Sequence, residues 1–458
     1  MTPRGSRRRR LAGVVLTVAA GWALLGAPAP ARAVPGAEMV KDIADGARGS
    51  QARRPVVLGS TLMFLASDGA GLDGLWRSDG TPSGTVPLRS MYVLEMRTAG
   101  GLLFLSGADG SGTELWRSDG TAAGTALVAD IWWGFSGSAP TNLVDVGGTL
   151  FFSAADGTRS DELWRSDGSS AGTTLVRDIN PGEEPSSPSG GIDVDGTLFF
   201  TATDGDTGYE LWRSDGTAAG TRLVRDVNPG PADSYAQELT AAGGNVFFRA
   251  SSSGARLKQW ELWKSDGTAA GTNPLVSARI PWIRRIDDGV LFAATQGRRA
   301  VDRGELWASD GTRAGTGRVK DINPSRRNDL GLGAAVRLDD RLYFVADDGA
   351  HGAELWTSDG SRSGTRMVRD IRRGVKGSGP LRLAVAGDAV YFSARDGRHG
   401  RELWRSDGTA SGTRLVADIN TRGSSGPRGI RDLGGLTLLT ADDGIHGREL
   451  WRVTPSED

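Results

Sequence analysis

Residues Glu210 to Thr221 read ELWRSDGTAAGT. The Leu-Trp pair marks a short strand, and Ser-Asp-Gly-Thr marks the turn that ends it. An Asp side chain before Gly accepts backbone N–H bonds, while Gly supplies a positive φ. Gly220-Thr221 closes the same loop. The stretch is one copy of a repeat, and it decides the fold. Its Leu-Trp pair recurs at Trp76, Trp116, Trp164, Trp212, Trp263, Trp307, Trp356, Trp404 and Trp451, at spacings of 40 to 51 residues. Nine of the 14 Trp occupy this one position. Glu precedes the pair in eight of the nine copies, with Gly74 the exception. The first eight copies continue as S-D-G-[TS]-x-x-G-T.

The rest of each unit supplies three more strands. LVRDI (Leu175 to Ile179) is a short apolar run, often followed by an NPG loop. A weak strand of the NLVDV type (Asn142 to Val146) leads through a Gly-Gly or Asp-Gly hairpin turn into a strong one such as TLFFSA (Thr149 to Ala154). No segment reads as a helix. With strands named A (NLVDV), B (TLFFSA), C (ELW) and D (LVRDI), the period predicts an all-β chain of four-stranded propeller blades. The ends predict closure. MVKDI (Met39 to Ile43) is a D strand without its blade, and the final ELW (Glu449 to Trp451) belongs to a blade without its D strand. The N-terminal strand then completes the C-terminal blade and pairs a strand edge that would otherwise be free. The count is nine blades, above the usual four to eight. An open solenoid, or a ring with one blade unformed, is the alternative.

ELWxxDGTxxGT followed by V-x-D-I-N-P-G resembles the ELWxxDGT repeat family of bacterial secreted proteins. The resemblance covers nearly all of residues 34–458 and implies an exported, β-propeller-like protein. It brings no defined activity, so no catalytic residue is carried over. Two copies depart from the pattern. The D strand of the first unit is VPLRS (Val86 to Ser90), without Asp, and that of the fifth is PLVSARI (Pro274 to Ile280), without D-I-N-P-G.

Composition narrows function. In 458 residues there is no Cys, which excludes disulfides, zinc thiolates and thiol nucleophiles. A net charge of −1 gives no footprint for sequence-independent nucleic-acid binding. Residues 1–33 read as a signal peptide: Arg4 and Arg7 to Arg10, an apolar run from Leu11 to Gly26, and small residues at Ala31 and Ala33. Cleavage after Ala33 removes six of the 54 basic residues and no acid. That leaves 48 basic against 55 acidic residues, a net of −7. No later run is long enough to span a membrane.

The repeated residues read first as architecture. The nine ELW Trp are expected between blades, since aromatics dominate such cores. Asp79, Asp119, Asp167, Asp215, Asp266, Asp310, Asp359 and Asp407 all precede Gly and are expected to fix turns. Calcium is the competing reading, but it needs six to eight oxygens in one place. The ELW Glu is expected to pair with the following Arg, as Glu162 with Arg165. His351, His399 and His446 share one repeat position, which argues against a catalytic triad. No metal ligand set or catalytic carboxylate pair stands out. Asp347-Asp348 and Asp442-Asp443 fall in repeated turns.

Irregularities carry the functional signal, because symmetry does not explain them. IWWGFSGSAP (Ile131 to Pro140) replaces the usual loop and puts Trp132, Trp133 and Phe135 on a D-to-A connection. Trp282 lies on another such connection. Loops carry function on rigid scaffolds, and flat aromatics stack on sugar rings. The bland reading is a local plug. These four aromatics are the candidate ligand contacts, on the face shared by the B–C and D–A loops. The expectation is an exported, non-catalytic binding or scaffold protein, its partner an extracellular polymer or protein. The alternatives are an extracellular hydrolase or lyase using carboxylates on one face, and a calcium-stabilised adhesion module.

Overall fold

The computed structural model describes residues 33–71, 73–110, 112–134, 136–253, 260–295, 304–324 and 335–454. No helix long and apolar enough to cross a membrane occurs among them. The predicted signal sequence lies outside the described residues except for Ala33.

Nine antiparallel sheets follow one another along the chain. Blade 4 is typical: Ser189–Val194 (A), Thr197–Ala202 (B), Glu210–Ser214 (C) and Arg222–Arg225 (D), hydrogen-bonded in that order. Strand B is buried on both faces after its first residue, as a run of TLFF demands. Strand A of each blade lies against strand A of the next. The series returns from Arg428–Leu433 of blade 9 to Arg53–Leu58 of blade 1. The ring is closed, with A strands at its centre and D strands outermost. It is a nine-bladed β-propeller.

Closure uses both chain ends. Blade 9 takes A, B and C from Arg428–Leu433, Leu436–Asp442 and Arg448–Val453, and D from Ala37–Lys41. Met39 pairs with Trp451. The D strand ends two residues before the predicted MVKDI does, and Asp42 and Ile43 already belong to the loop that enters blade 1. Ala33–Val34 adds a short fifth strand at the edge.

The core is divided among the blade interfaces. Nine clusters of buried side chains each join two neighbouring blades, and each includes or packs against one ELW Trp. Seven of these indoles are at most 6% exposed, whereas Trp164 and Trp307 are half-buried. The difference has a local cause. In several blades a D-strand cation reaches over the next blade's Trp. Arg177 lies 6.0 Å from the Trp212 ring centroid, Arg225 5.8 Å from Trp263 and Lys320 5.9 Å from Trp356. The same cations donate to the Thr221, Thr272 and Thr365 carbonyls of those blades. Ala129 and Ser277 hold this position before Trp164 and Trp307. Ala417 holds it before Trp451, and there the N-terminal segment takes over. Val34 packs on that cluster, and Gly36 passes so close to the D strand of blade 8 that a Cβ there would lie 1.9 Å from the Val416 carbonyl oxygen.

Candidate functional site

Antiparallel order sends the A–B and C–D turns to one end of the ring and the B–C and D–A loops to the other. The C–D hairpins are nearly identical. In blade 4, Asp215 Oδ1 accepts from the Thr217 N–H at 2.9 Å and the Thr217 hydroxyl at 2.7 Å. Thr217 Oγ1 accepts from the Gly220 N–H at 3.0 Å, and Ser214 and Thr221 hydroxyls meet at 2.7 Å. A Cβ on Gly220 would fall 2.0 Å from Asp215 Oδ1, so only glycine fits. The Thr (or Ser) hydroxyl bond holds all eight of these Asp carboxyls below the ordinary carboxylate range. They are turn residues bonded by their own loops. Among the described residues, no group of three or more His, Asp and Glu side chains converges as a metal site would require.

At the other end seven D–A loops are held by the ELW Glu, which is not an exposed partner of Arg. In blade 5 Glu261 instead accepts from the Ser252 hydroxyl at 2.8 Å and the Trp263 indole N–H at 3.2 Å. Glu162 is buried and accepts from the Ile179 N–H at 2.7 Å, the Ser186 N–H at 3.2 Å and the Ser186 hydroxyl at 2.7 Å. Glu402 holds Ile419 and Ser425 in the same way. Glu449 holds Ile43 and Ser50, across the joined chain ends. Burial pushes Glu210, Glu305 and Glu449 up to about 7, against the pull of the donated hydrogen bonds. Blade 1 lacks both parts of the device. Its D strand Val86–Ser90 runs through Met91 directly into Tyr92–Ala99, and the chain passes so close to Gly74 that a Cβ would lie 2.2 Å from the Arg89 carbonyl oxygen.

The three His sit in B–C turns, each Nδ1 2.7 Å from the Asp three residues before it: Asp348, Asp396 and Asp443. That bond raises the pKa of His351 and His399. Arg159 takes the same place in blade 3, bonded to Asp156.

The predicted ligand aromatics separate. The loop from Ile131 to Pro140 is pinned by Glu114, which accepts from the N–H groups of Ile131, Trp132 and Ser138 at 3.0, 3.3 and 2.8 Å. The Trp132 indole is partly buried over Gly157 of the next blade's B–C turn, where a Cβ would lie 2.6 Å from Nε1. Asn180 covers Gly205 in the same way one blade on. Trp132 therefore fills the space of the usual Asn. Trp133 beside it is 87% exposed. Phe135 lies outside the described residues. Trp282 does not belong to this surface: it is 4% exposed, inside the core shared by blades 6 and 7.

A second polar and aromatic surface lies at the same end, on blades 4 and 5. A groove of about 520 Å³ runs between the starts of their A strands, lined by Tyr209, Tyr235, Gln237 and Glu238 among others. Tyr235 is 46% exposed and meets Trp260 edge-on at 6.4 Å. Arg249 lies 4.9 Å from the Trp260 ring centroid and bonds Gln237. Sequence reading missed it because its residues come from a D–A loop, two A strands and the residues before ELW. The signal was the aromatic character of Tyr209 and Trp260, immediately before Glu, where other copies carry Asp, Thr, Ala, Gly or Arg.

Neither a family model nor a curated protein sequence matches the chain. Solved structures similar to it include the computationally designed Ika8 protein, at 15% identity and a TM-score of 0.44 over 78% of this chain and 97% of that one. Puromycin hydrolase matches at 14% identity and a TM-score of 0.40, over 86% of this chain and 59% of the other. A puromycin-hydrolyzing peptidase of Mycobacterium tuberculosis matches at 12% and 0.41, over 91% and 62%. The chain spans about six-tenths of these two hydrolases.

Proposed function

We propose that this is an exported, non-catalytic binding protein of the bacterial surface, whose B–C/D–A face holds a glycan or another surface polymer. The observation that carries the reading is Trp133: a fully presented indole on a loop whose backbone is fixed by a buried carboxylate. An exposed indole on an anchored backbone offers a flat stacking surface without the cost of ordering the loop. The Tyr209–Tyr235 groove on the same face adds aromatic and amide groups of the kind that recognise sugar hydroxyls. Export rests on the leader and on the ELWxxDGT resemblance. The ELW glutamates with raised pKa serve their own D–A loops and are not open to a substrate. The test is co-sedimentation of the protein with insoluble cell-wall and polysaccharide fractions, beside a Trp132→Ala/Trp133→Ala variant. Retention of the parent and release of the variant is expected. Equal retention would remove the loop from the binding face.

A further inference from the structure

The loop face is not uniform in charge. Over blades 3 and 4 its loops carry Glu183, Glu184, Asp204, Asp206, Asp226 and Asp233. Over blades 7 and 8 the D–A loop IRRGVKGSGP (371–380) has three cations and no acid, and the B–C turn RDGRHGR (395–401) has three arginines for one Asp. That Asp is already bonded to His399.

Five arginines gather next to these loops. Arg382 and Arg428 stand at the starts of adjacent A strands, in blades 8 and 9. Arg401 and Arg448 hold equivalent places before the ELW motifs of the same blades. Arg395 opens the B–C turn directly after strand B of blade 8, Ala389–Ala394. Their guanidiniums meet backbone carbonyls or nothing. Arg401 Nη1 donates to the Gly379 and Ser393 carbonyls at 2.7 and 3.0 Å. Arg448 Nη1 donates to the Thr440 carbonyl at 3.0 Å. Arg428 has a buried Nε without a partner. Among the described residues none of the five forms an ion pair; Arg53 of blade 1, by contrast, pairs with Asp73 at 3.2 Å. The charges press on one another. Arg382 acts on Arg401, Arg428 and Arg448, and burial, with repulsion from Arg428 and Arg382 against the pull of Asp442, lowers Arg448 to about 10. Arg382 also keeps a left-handed backbone, φ 58°, where blades 3 and 9 use positive-φ Asn142 and Gly429. Arg54 and Glu238 hold the same bulge in blades 1 and 5, so the position accepts long side chains, and a bulge re-aims them.

We propose that this cluster binds the anionic groups, sulfate or carboxylate, spaced along an extracellular polysaccharide. Unpaired guanidiniums with part of their donors free match oxyanions geometrically as well as electrically. The patch is open and spans two blades, which suits a chain of charges better than one small ion. Because the chain as a whole has a net charge of −1, such binding needs a local site and is not a general attraction. The proposal rests on the polymer-binding reading but uses a different part of the face.

The experiment is calorimetric titration with heparin, polygalacturonate, neutral dextran and sodium sulfate. The parent is compared with an Arg382→Gly/Arg395→Ala variant and with Trp132→Ala/Trp133→Ala. Neither Arg382 nor Arg395 makes a side-chain hydrogen bond among the described residues, and Gly suits the φ of position 382. The first variant should keep the parent's melting temperature. Binding of heparin, of polygalacturonate or of both is expected, weakened roughly 10-fold or more in the arginine variant and unchanged in the tryptophan variant. Heparin binding alone assigns sulfate, and polygalacturonate binding assigns carboxylate. The proposal is overturned if neither polyanion binds, if dextran binds as well as they do, or if the arginine variant equals the parent. Sodium sulfate binding as tightly as heparin would overturn the polymer. Loss of binding in the tryptophan variant alone would move the site to the aromatic loop.

Discussion

The two ends of the ring have been built differently. At the C–D end, eight hairpins repeat the same Ser, Asp, Thr (or Ser), Gly and Thr bonds with distances that agree within a few tenths of an ångström. At the B–C/D–A end, only the backbone anchor is repeated. The ELW Glu fixes where the loop begins and where its Ser returns, and the residues between vary from NPGEEP to WWGFSG to RRGVKG. A fixed anchor with free contents lets one face diversify without changing the ring. Blade 1 has lost Glu and loop together, whereas blade 5 has lost the D-I-N-P-G loop but keeps Glu261, whose carboxylate turns to Ser252 and Trp263.

This contrast can be broken in order of expected size. Deleting residues 34–44 removes strand D of blade 9 and the Ile43 N–H that donates to Glu449, and should lower the melting temperature more than any single substitution; deleting 455–458 should not. Equal melting temperatures would contradict closure through Ala37–Lys41. Next, Trp212→Ala should cost about 3–5 kcal/mol in chemical denaturation, as for other buried aromatics. Trp307→Ala should cost visibly less, because no cation covers that indole; equal losses would disconnect burial from the D-strand cation. Glu210→Ala leaves the N–H groups of Val227, Asn228 and Ser234 without their acceptor and should cost about 1–3 kcal/mol, more than Asp215→Ala at the solvated hairpin.

Titration sharpens the same comparison. Glu210 has a folded pKa of about 7 against an ordinary 4.5. Its protonated form is therefore favoured by folding. Its contribution is full below about 4.5 and is lost as pH rises through about 7. Glu210→Gln should flatten stability in that window. The hairpin Asp carboxyls run the other way: their lowered pKa gives stability above the ordinary carboxylate value that disappears as pH falls below it. A Glu210→Gln variant with the parent's pH profile between 4.5 and 7 would show that this carboxyl is ionised in the folded protein.

Much of the architecture could be read from the chain because it is encoded locally. The 40-to-51-residue period, the Gly-Gly and Asp-Gly turns, and an orphan D strand at one end facing an orphan ELW at the other specify blades, count and closure. The Glu clamp escaped because its partners lie 17 and 24 residues downstream, and only the joint spacing of Glu162, Ile179 and Ser186 records it. Trp282 and Trp133 read alike as loop aromatics, yet one is buried and one exposed. A neighbouring blade decides that, not the local sequence. The arginine cluster was hidden for the same reason, since Arg382 and Arg448 meet only when adjacent blades are packed.

The central claim is that the clamp holds the loop and the loop's contents bind. Residues 132–137 (WWGFSG) and 180–185 (NPGEEP) occupy equivalent positions between a clamped Ile and a clamped Ser. The measurement is polysaccharide co-sedimentation and melting temperature for a protein in which NPGEEP replaces WWGFSG. An unchanged melting temperature with lost binding is the predicted result. A collapsed melting temperature would make the aromatic loop a structural plug, and undiminished binding would place the ligand elsewhere on the ring.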